Sequence, residues 1–192
     1  MKKYKEIEIF RKSKTTLKKA SYDDANNEYM TEYEVEVIDF DKVKELYCSP
    51  LKLSEPPKSC DVLLIDENNS AFIEFKNGEV DTFDIRKKIY ESLLILADIT
   101  KCTIGETREK LNYILVYNEE SNRKNRGYRE FAKNRIPSSK NLEFINQSIS
   151  GFANKKIVKF RVNDFQTFLF KDVDTYTKEE FKSFCQEIFN RK

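Results

Sequence analysis

The 192-residue chain contains no histidine. That absence excludes Ser–His–Asp triads, HNH-type and HD-type metal chemistry and acid–base catalysis by imidazole. A hydrolase built from this chain must work with carboxylates, Lys, Tyr, Ser or Cys. Glycine is scarce, at four residues. Neither a Gly-x-x-x-x-Gly-Lys-[Ser/Thr] phosphate loop nor a Gly-x-Gly-x-x-Gly fingerprint is present, which argues against a nucleotide-handling enzyme that cradles phosphates with backbone. The cysteines Cys48, Cys60, Cys102 and Cys185 are scattered and form no Cys-x-x-Cys, so a zinc ribbon is not expected. A Cys nucleophile would also lack its usual His base. The expectation is four reduced, partly buried thiols, with Cys60 used for packing. No apolar stretch approaches membrane-spanning length, and the start Met1-Lys-Lys-Tyr-Lys-Glu6 carries no apolar signal-peptide region. A cytoplasmic protein without membrane contact is expected. An excess of one charge is missing too: the net charge is +2, so any nucleic-acid footprint must be local.

What is there points to a folded chain. Charged residues make up 35% of the sequence, but aromatics reach 13%, which favours a globular chain over a disordered one. The length suits one domain with a core large enough to fold alone. The chain divides into an expected core at about 41–118 and a C-terminal strand and helix extension at 119–192.

The richest stretch runs from Asp61 to Lys76 (Asp-Val-Leu-Leu-Ile-Asp-Glu-Asn-Asn-Ser-Ala-Phe-Ile-Glu-Phe-Lys). Val62–Ile65 and Ala71–Phe75 predict two partly buried strands, and Asp66–Ser70 supplies polar turn chemistry. Alternation along the second strand puts Glu74 and Lys76 on one face and Ile73 and Phe75 on the other. A turn centred near Asn68 pairs Asp61 with the Glu74–Lys76 end. Two carboxylates can hold a hard divalent cation such as Mg²⁺, and a lysine beside them can orient or help deprotonate a water, or steady a phosphate oxygen. A solvated edge hairpin with an ordinary cross-strand ion pair is the plainer reading of the same residues.

Around this hairpin, Glu6–Phe10 reads as a strand. The basic Arg11–Lys19 reads as an exposed segment, or as a phosphate-contacting arm. Tyr33–Ile38 alternates as a half-buried strand, and Asp39 or Asp41 caps a short helix through Tyr47. Residues 49–59 form a proline-containing loop. Asp84–Thr100 is the clearest helix, with Ile85, Ile89, Leu93, Leu96 and Ala97 on one face and Asp81, Thr82 or Asp84 as N-cap. Its Arg86, Lys87 and Lys88 are cations at a helix N-terminus, which a nearby phosphate would favour; equally they form a solvated face with a Lys87–Glu91 pair. Asn112–Tyr117 is a buried strand. Arg123, Lys124, Arg126 and Arg129 around Tyr128 suit a loop that tracks a nucleic-acid backbone, or an exposed polar loop, and a helix begins near Tyr128. Ile157–Val162 reads as a late strand. Thr177-Lys-Glu-Glu180 fits a capping box opening a final helix whose apolar face is Phe181, Phe184, Cys185, Ile188 and Phe189. The order implies an α/β domain with a central mixed sheet flanked by helices.

The hairpin resembles the PD-(D/E)XK nuclease superfamily, with Asp61 at the Asp position and Glu74-Phe75-Lys76 at (D/E)-x-K. The Pro usual before the Asp is absent; Ser59-Cys60 precede it. The spacing from Arg86 to Tyr90 is similar to the Gln-x-x-x-Tyr of the RecB-like branch, with Arg in place of Gln. The resemblance spans about 45–118 and implies a restriction-endonuclease-like core. It further implies a Mg²⁺-dependent nuclease, with Mn²⁺ as a substitute, that hydrolyses phosphodiester bonds of DNA. Asp61, Glu74 and the Phe75 carbonyl would ligate the metal, Glu45 is the candidate further acid, and Lys76 would position or activate water. Arg86, Lys87, Tyr90, Arg123, Lys124 and Arg126 are the candidate nucleic-acid contacts. Restriction, anti-phage defence, repair or a mobile element would each suit such a domain, and a homodimer would suit double-strand cutting. The alternative is a catalytically silent module on the same fold that acts through a protein partner.

Overall fold

The computed structural model describes residues 6–66, 70–124 and 158–189. These residues form an α/β structure around a mixed six-stranded sheet. The N-terminal part contains α1 (Glu8–Lys12), β1 (Lys14–Thr16), α2 (Leu17–Ala20), β2 (Tyr22–Asp23), β3 (Glu28–Tyr29), β4 (Glu36–Asp39) and α3 (Phe40–Cys48). Then come β5 (Val62–Leu64), β6 (Ser70–Lys76), α4 (Thr82–Thr100), α5 (Ile104–Lys110), β7 (Leu111–Tyr117) and α6 (Glu119–Asn122). β8 (Asp172–Thr177) and α7 (Lys178–Phe189) follow. The sheet order is β1-β4-β5-β6-β7-β8. Neighbours from β1 to β6 are antiparallel, whereas β6, β7 and β8 run parallel. β2 and β3 make a separate hairpin.

Alternation sorts the central strands into two faces. One face carries Leu63, Phe72, Tyr113 and Leu115 and packs against Ile85, Ile89, Leu93 and Leu96 of α4. The other carries Val62, Ala71, Ile73, Ile114 and Val116, with Phe181 and Cys185 of α7. Parallel strands covered on both faces need continuous apolar runs, and Tyr113–Tyr117 is buried throughout.

Helix starts follow local chemistry. Asp39 accepts from the Lys42 N–H at 2.9 Å and caps α3. Asp81 accepts from the Phe83 N–H at 2.9 Å and caps α4. Thr177 and Glu180 form the reciprocal bonds of a capping box at α7.

Three expectations need correction. Glu6–Phe10 is not a strand: Glu8–Lys12 is a helix that buries Phe10, and two alternating isoleucines over five residues do not distinguish the two periods. Arg11–Lys19 is not wholly exposed, because Leu17 is fully buried and Lys14–Thr16 adds an edge strand. The late strand is absent over 158–162: Phe160 and Arg161 have φ of 61° and 55°, which extended pairing cannot accommodate, and Val162–Phe165 is a 3₁₀ turn. The strand that pairs beside β7 is β8. The helix expected near Tyr128 lies outside the described residues, as do Arg126 and Arg129.

Candidate active site

β5 and β6 pair with Val62 opposite Ile73 and Leu63 opposite Phe72. One more step in that register sets Asp61 opposite Glu74. Backbone bonding does not continue that far. β5 leaves β6 here, and the Asp61 carboxylate takes its place: Oδ2 accepts the Phe75 N–H at 2.6 Å. The Asp61 carbonyl instead accepts the Phe40 N–H at 2.9 Å. The segment before Asp61 is fastened to two helices. The Lys58 N–H bonds to Glu91 at 2.6 Å, the Cys60 N–H to the Ser92 hydroxyl at 2.8 Å, and the Ser59 hydroxyl to Asp41 at 2.5 Å.

Glu74 is the unusual residue. It has 0% exposure and lies on the α4 face of a central strand among Phe72, Tyr113 and Leu115. Its Oε1 accepts from Lys88 Nζ at 2.6 Å and lies 3.2 Å from Lys76 Nζ. Its Oε2 is buried with no hydrogen-bond partner among the described residues. An unsatisfied buried carboxylate oxygen costs on the order of 1–3 kcal/mol, and more for a charged group. The Tyr113 hydroxyl is also buried without a hydrogen-bond partner among the described residues, one strand away on the same face.

Three lysines surround the acids. Lys88 Nζ lies between Glu74 and Asp61, 3.2 Å from Asp61 Oδ1. Lys76 Nζ bridges Glu74 and Asp84, 3.4 Å from Asp84 Oδ2. Lys58 pairs with the other Asp84 oxygen. Burial, followed by the Asp61 charge, pushes the Glu74 carboxyl up to about 8 against the pull of Lys88 and Lys76. Burial also raises Asp61, against Lys88 and the Phe75 N–H, and the Asp41 charge adds to the rise. Burial opposes the charge on Lys88, but Asp61 and Glu74 outweigh it and hold the ammonium above its usual range. Asp84 falls below its ordinary value because Lys58 and then Lys76 overcome its own burial. Burial pushes Cys60 and Tyr113 well up, with Glu74 adding to both.

The structure therefore brings together Asp61, Glu74 and Lys76. Lys88 and Asp84 join them, whereas the sequence alone places Lys88 among cations that meet a phosphate or solvent and Asp84 among three candidate N-caps. The signal for Lys88 was present. It stands three residues after Ile85, beside Ile89 and four before Ser92, all of them buried, so it falls inside the core-facing stripe.

The other candidates sit elsewhere. Glu45 is exposed on α3 and bonds to neither Asp61 nor Glu74; the α3 acid whose charge reaches Asp61 is Asp41. Arg86 pairs with Asp164 at 3.3 Å and stacks over the Phe165 ring at 4.8 Å. Tyr90 meets the same ring edge-on at 5.5 Å. Lys87 is exposed and 3.8 Å from Glu91. Arg123 and Lys124 are exposed just after α6, past the sheet end at which β6 finishes.

The donor set suits a hard cation in part. Asp61 and Glu74 offer carboxylate oxygens, and Glu74 Oε2 lacks a partner. The Phe75 N–H faces Asp61 whereas the Lys76 carbonyl faces Asn118 on the β7 side. Strand alternation thus turns the Phe75 carbonyl toward Asp61 as well. Among the described residues no group of three or more His, Cys, Asp or Glu side chains is placed to hold a metal ion. An ion here would complete its shell with backbone and water, as Mg²⁺ commonly does.

The chain matches no family model, no curated protein and no solved structure. Among the described residues, no helix is long and apolar enough to cross a membrane.

Proposed function

We propose that this chain is a Mg²⁺-dependent nuclease on a restriction-endonuclease-like core, hydrolysing phosphodiester bonds of DNA. The observation that carries this reading is Glu74, a fully buried carboxylate facing Asp61 with one oxygen unpartnered and a lysine two residues on. Perturbed, incompletely satisfied acids are characteristic of sites whose chemistry requires them. A buried acid of purely structural use would be paired at both oxygens.

In this reading Asp61, Glu74 and the Phe75 carbonyl hold the cation. Bound Mg²⁺ supplies Lewis-acid stabilisation of the phosphoryl oxygens and a lowered water pKa. Lys76, partly exposed and 3.2 Å from Glu74, donates to the attacking water and fixes its lone pair toward phosphorus. Asp84 orients Lys76 from the far side, itself anchored by Lys58. The exposed cations Lys87, Arg123 and Lys124, with Arg86 and Tyr90, track the DNA backbone, and a second copy of the chain would serve double-strand cutting.

Cleavage of plasmid, single-stranded DNA and RNA with Mg²⁺ or Mn²⁺ against EDTA tests the reading, using wild type and a Glu74→Ala, Lys76→Ala variant. Metal-dependent cutting that disappears in the variant supports it. Lys76→Ala alone should lower the rate by about 10²–10⁴ with metal binding retained; retained cleavage removes Lys76 from this role.

A second reading has its own observation. Lys88 already bridges the Asp61–Glu74 pair, and Lys76, Asp84 and Lys58 extend the chain of ion pairs, so three lysines balance three acids without any ion. A catalytically silent module acting through a protein partner would look the same, and it is favoured if wild type neither cuts nor binds divalent metal.

A further inference from the structure

We propose that Lys88 is a built-in occupant of the cation position, a positioning residue that a divalent ion must displace before the Asp61–Glu74 pair is loaded. This inference rests on the metal-site reading above and names what gates it.

The argument is one of shared atoms. Asp61 has one oxygen committed to the Phe75 N–H at 2.6 Å. Its other oxygen, Oδ1, accepts from Lys88 at 3.2 Å. Glu74 turns Oε1 to Lys88 at 2.6 Å. A bridging cation would need Asp61 Oδ1 and a Glu74 oxygen together, and the ammonium stands between them. Two cations cannot share that position, because neither would be separated from the other by water in so buried a place. Lys76 need not move, since Asp84 holds it from the opposite side. Lys88 has no such second anchor: among the described residues its ion-pair partners are Asp61 and Glu74. Its four-carbon stem issues from the first half of α4, so it has the reach to swing away. The unpartnered Glu74 Oε2 marks where ligand capacity remains once it does. The ligand class is a hard, oxygen-seeking divalent cation.

Mn²⁺ binding to wild type and to Lys88→Met, followed by titration calorimetry with folding checked by circular dichroism, tests this. Tenfold or tighter binding in Lys88→Met, abolished by adding Glu74→Gln, supports displacement. Equal or weaker binding in Lys88→Met beside measurable wild-type binding overturns it and leaves the metal site standing. Binding in neither protein overturns the metal site and the displacement together. Should Lys88→Met fail to fold, wild type alone decides: with Mn²⁺ bound, labelling of Lys88 by an amine reagent, read by mass spectrometry, rises several-fold. Unchanged or reduced labelling of Lys88 at saturating Mn²⁺ overturns the proposal.

Discussion

Two polar clusters lie at the same end of β6, on opposite faces of the sheet, and they are built on opposite principles. On the α4 face, Asp61 and Glu74 are raised above their ordinary values and one Glu74 oxygen is unpaired. On the α7 face, Asn77 donates to Asp23 at 2.9 Å and to Glu28 at 3.2 Å, and accepts from Asn118 at 2.9 Å. Lys178 of α7 closes that second cluster 2.7 Å from Glu28. Both its acids lie below their ordinary values, Asp23 through the Asn26 and Asn77 amides and Glu28 through Lys178 and then Asn77. One cluster ties the β2–β3 hairpin, the end of β6 and the start of α7 together with neutral amides and solvated acids. The other sets acids where burial opposes their charge. A stabilising tie has no need of that, so the contrast separates scaffold from candidate site.

The sharpest way to break the comparison is to remove charges singly and in pairs. Lys88→Ala leaves two buried carboxylates facing each other and should cost about 3–5 kcal/mol, whereas Glu74→Leu with Lys88→Met removes one of them together with the ammonium and should cost less, because only Asp61 is left without its ion partner. Urea denaturation of the variants reads both. A double replacement as damaging as the single one would mean that the α4-face network supports the fold, as the Asn77 cluster does.

The pH dependence sharpens the same point. The folded-state pKa of Glu74, about 8, lies above its ordinary 4.5, so the folded state binds the proton more tightly than the unfolded one. Its contribution to stability is full below about pH 4.5 and is lost as pH rises toward 8, with an upper slope of about 1.4 kcal/mol per unit. The stability difference between wild type and Glu74→Gln should therefore shift against wild type between about pH 4.5 and pH 8. A flat difference would remove the claim that Glu74 is held against its charge. Asp23 and Glu28 shift the other way, so their contribution is present above their unfolded values and fades only in acid.

Smaller is the effect expected of Asn77→Ala, about 1–2 kcal/mol from the loss of its amide bonds, read by the same denaturation and without change at high pH. If it matches Lys88→Ala in size, the second cluster is more than a tie.

The Asp61–Glu74 meeting was legible because a hairpin admits few registers: once Val62 pairs with Ile73, parity fixes which side chains share a face. The α4 cap was narrowed to Asp81, Thr82 or Asp84, of which Asp81 caps the helix, and the α4 stripe was legible from the Ile85, Ile89, Leu93 spacing. Lys88 was not, since a cation in a run of cations suggests solvent, and only its place between buried Ile85 and Ser92 reveals otherwise. β8 was missed because Asp-Val-Asp-Thr-Tyr-Thr carries little apolar signal; its burial comes from β7 and α7, which no local window contains. The 3₁₀ turn at Val162–Phe165 depends on two residues of positive φ, neither of them a glycine that would have announced it.

The smallest effect concerns the α4 surface, where the comparison extends to nucleic acid. Arg86 pairs with an exposed Asp164 and stacks on Phe165, a combination whose loss in Arg86→Ala should cost at most about 1 kcal/mol of stability. If Arg86 also meets a backbone phosphate, the same variant weakens DNA binding uniformly across sequences and lowers the slope of log affinity against log salt by about one. Fluorescence anisotropy across a salt series separates the outcomes. An unchanged slope assigns Arg86 to holding the 3₁₀ turn against α4, and leaves Lys87, Arg123 and Lys124 as the exposed candidates among the described residues. A reduced slope with unchanged stability places the DNA path along the first half of α4, on the helix that also delivers Lys88 to the acids.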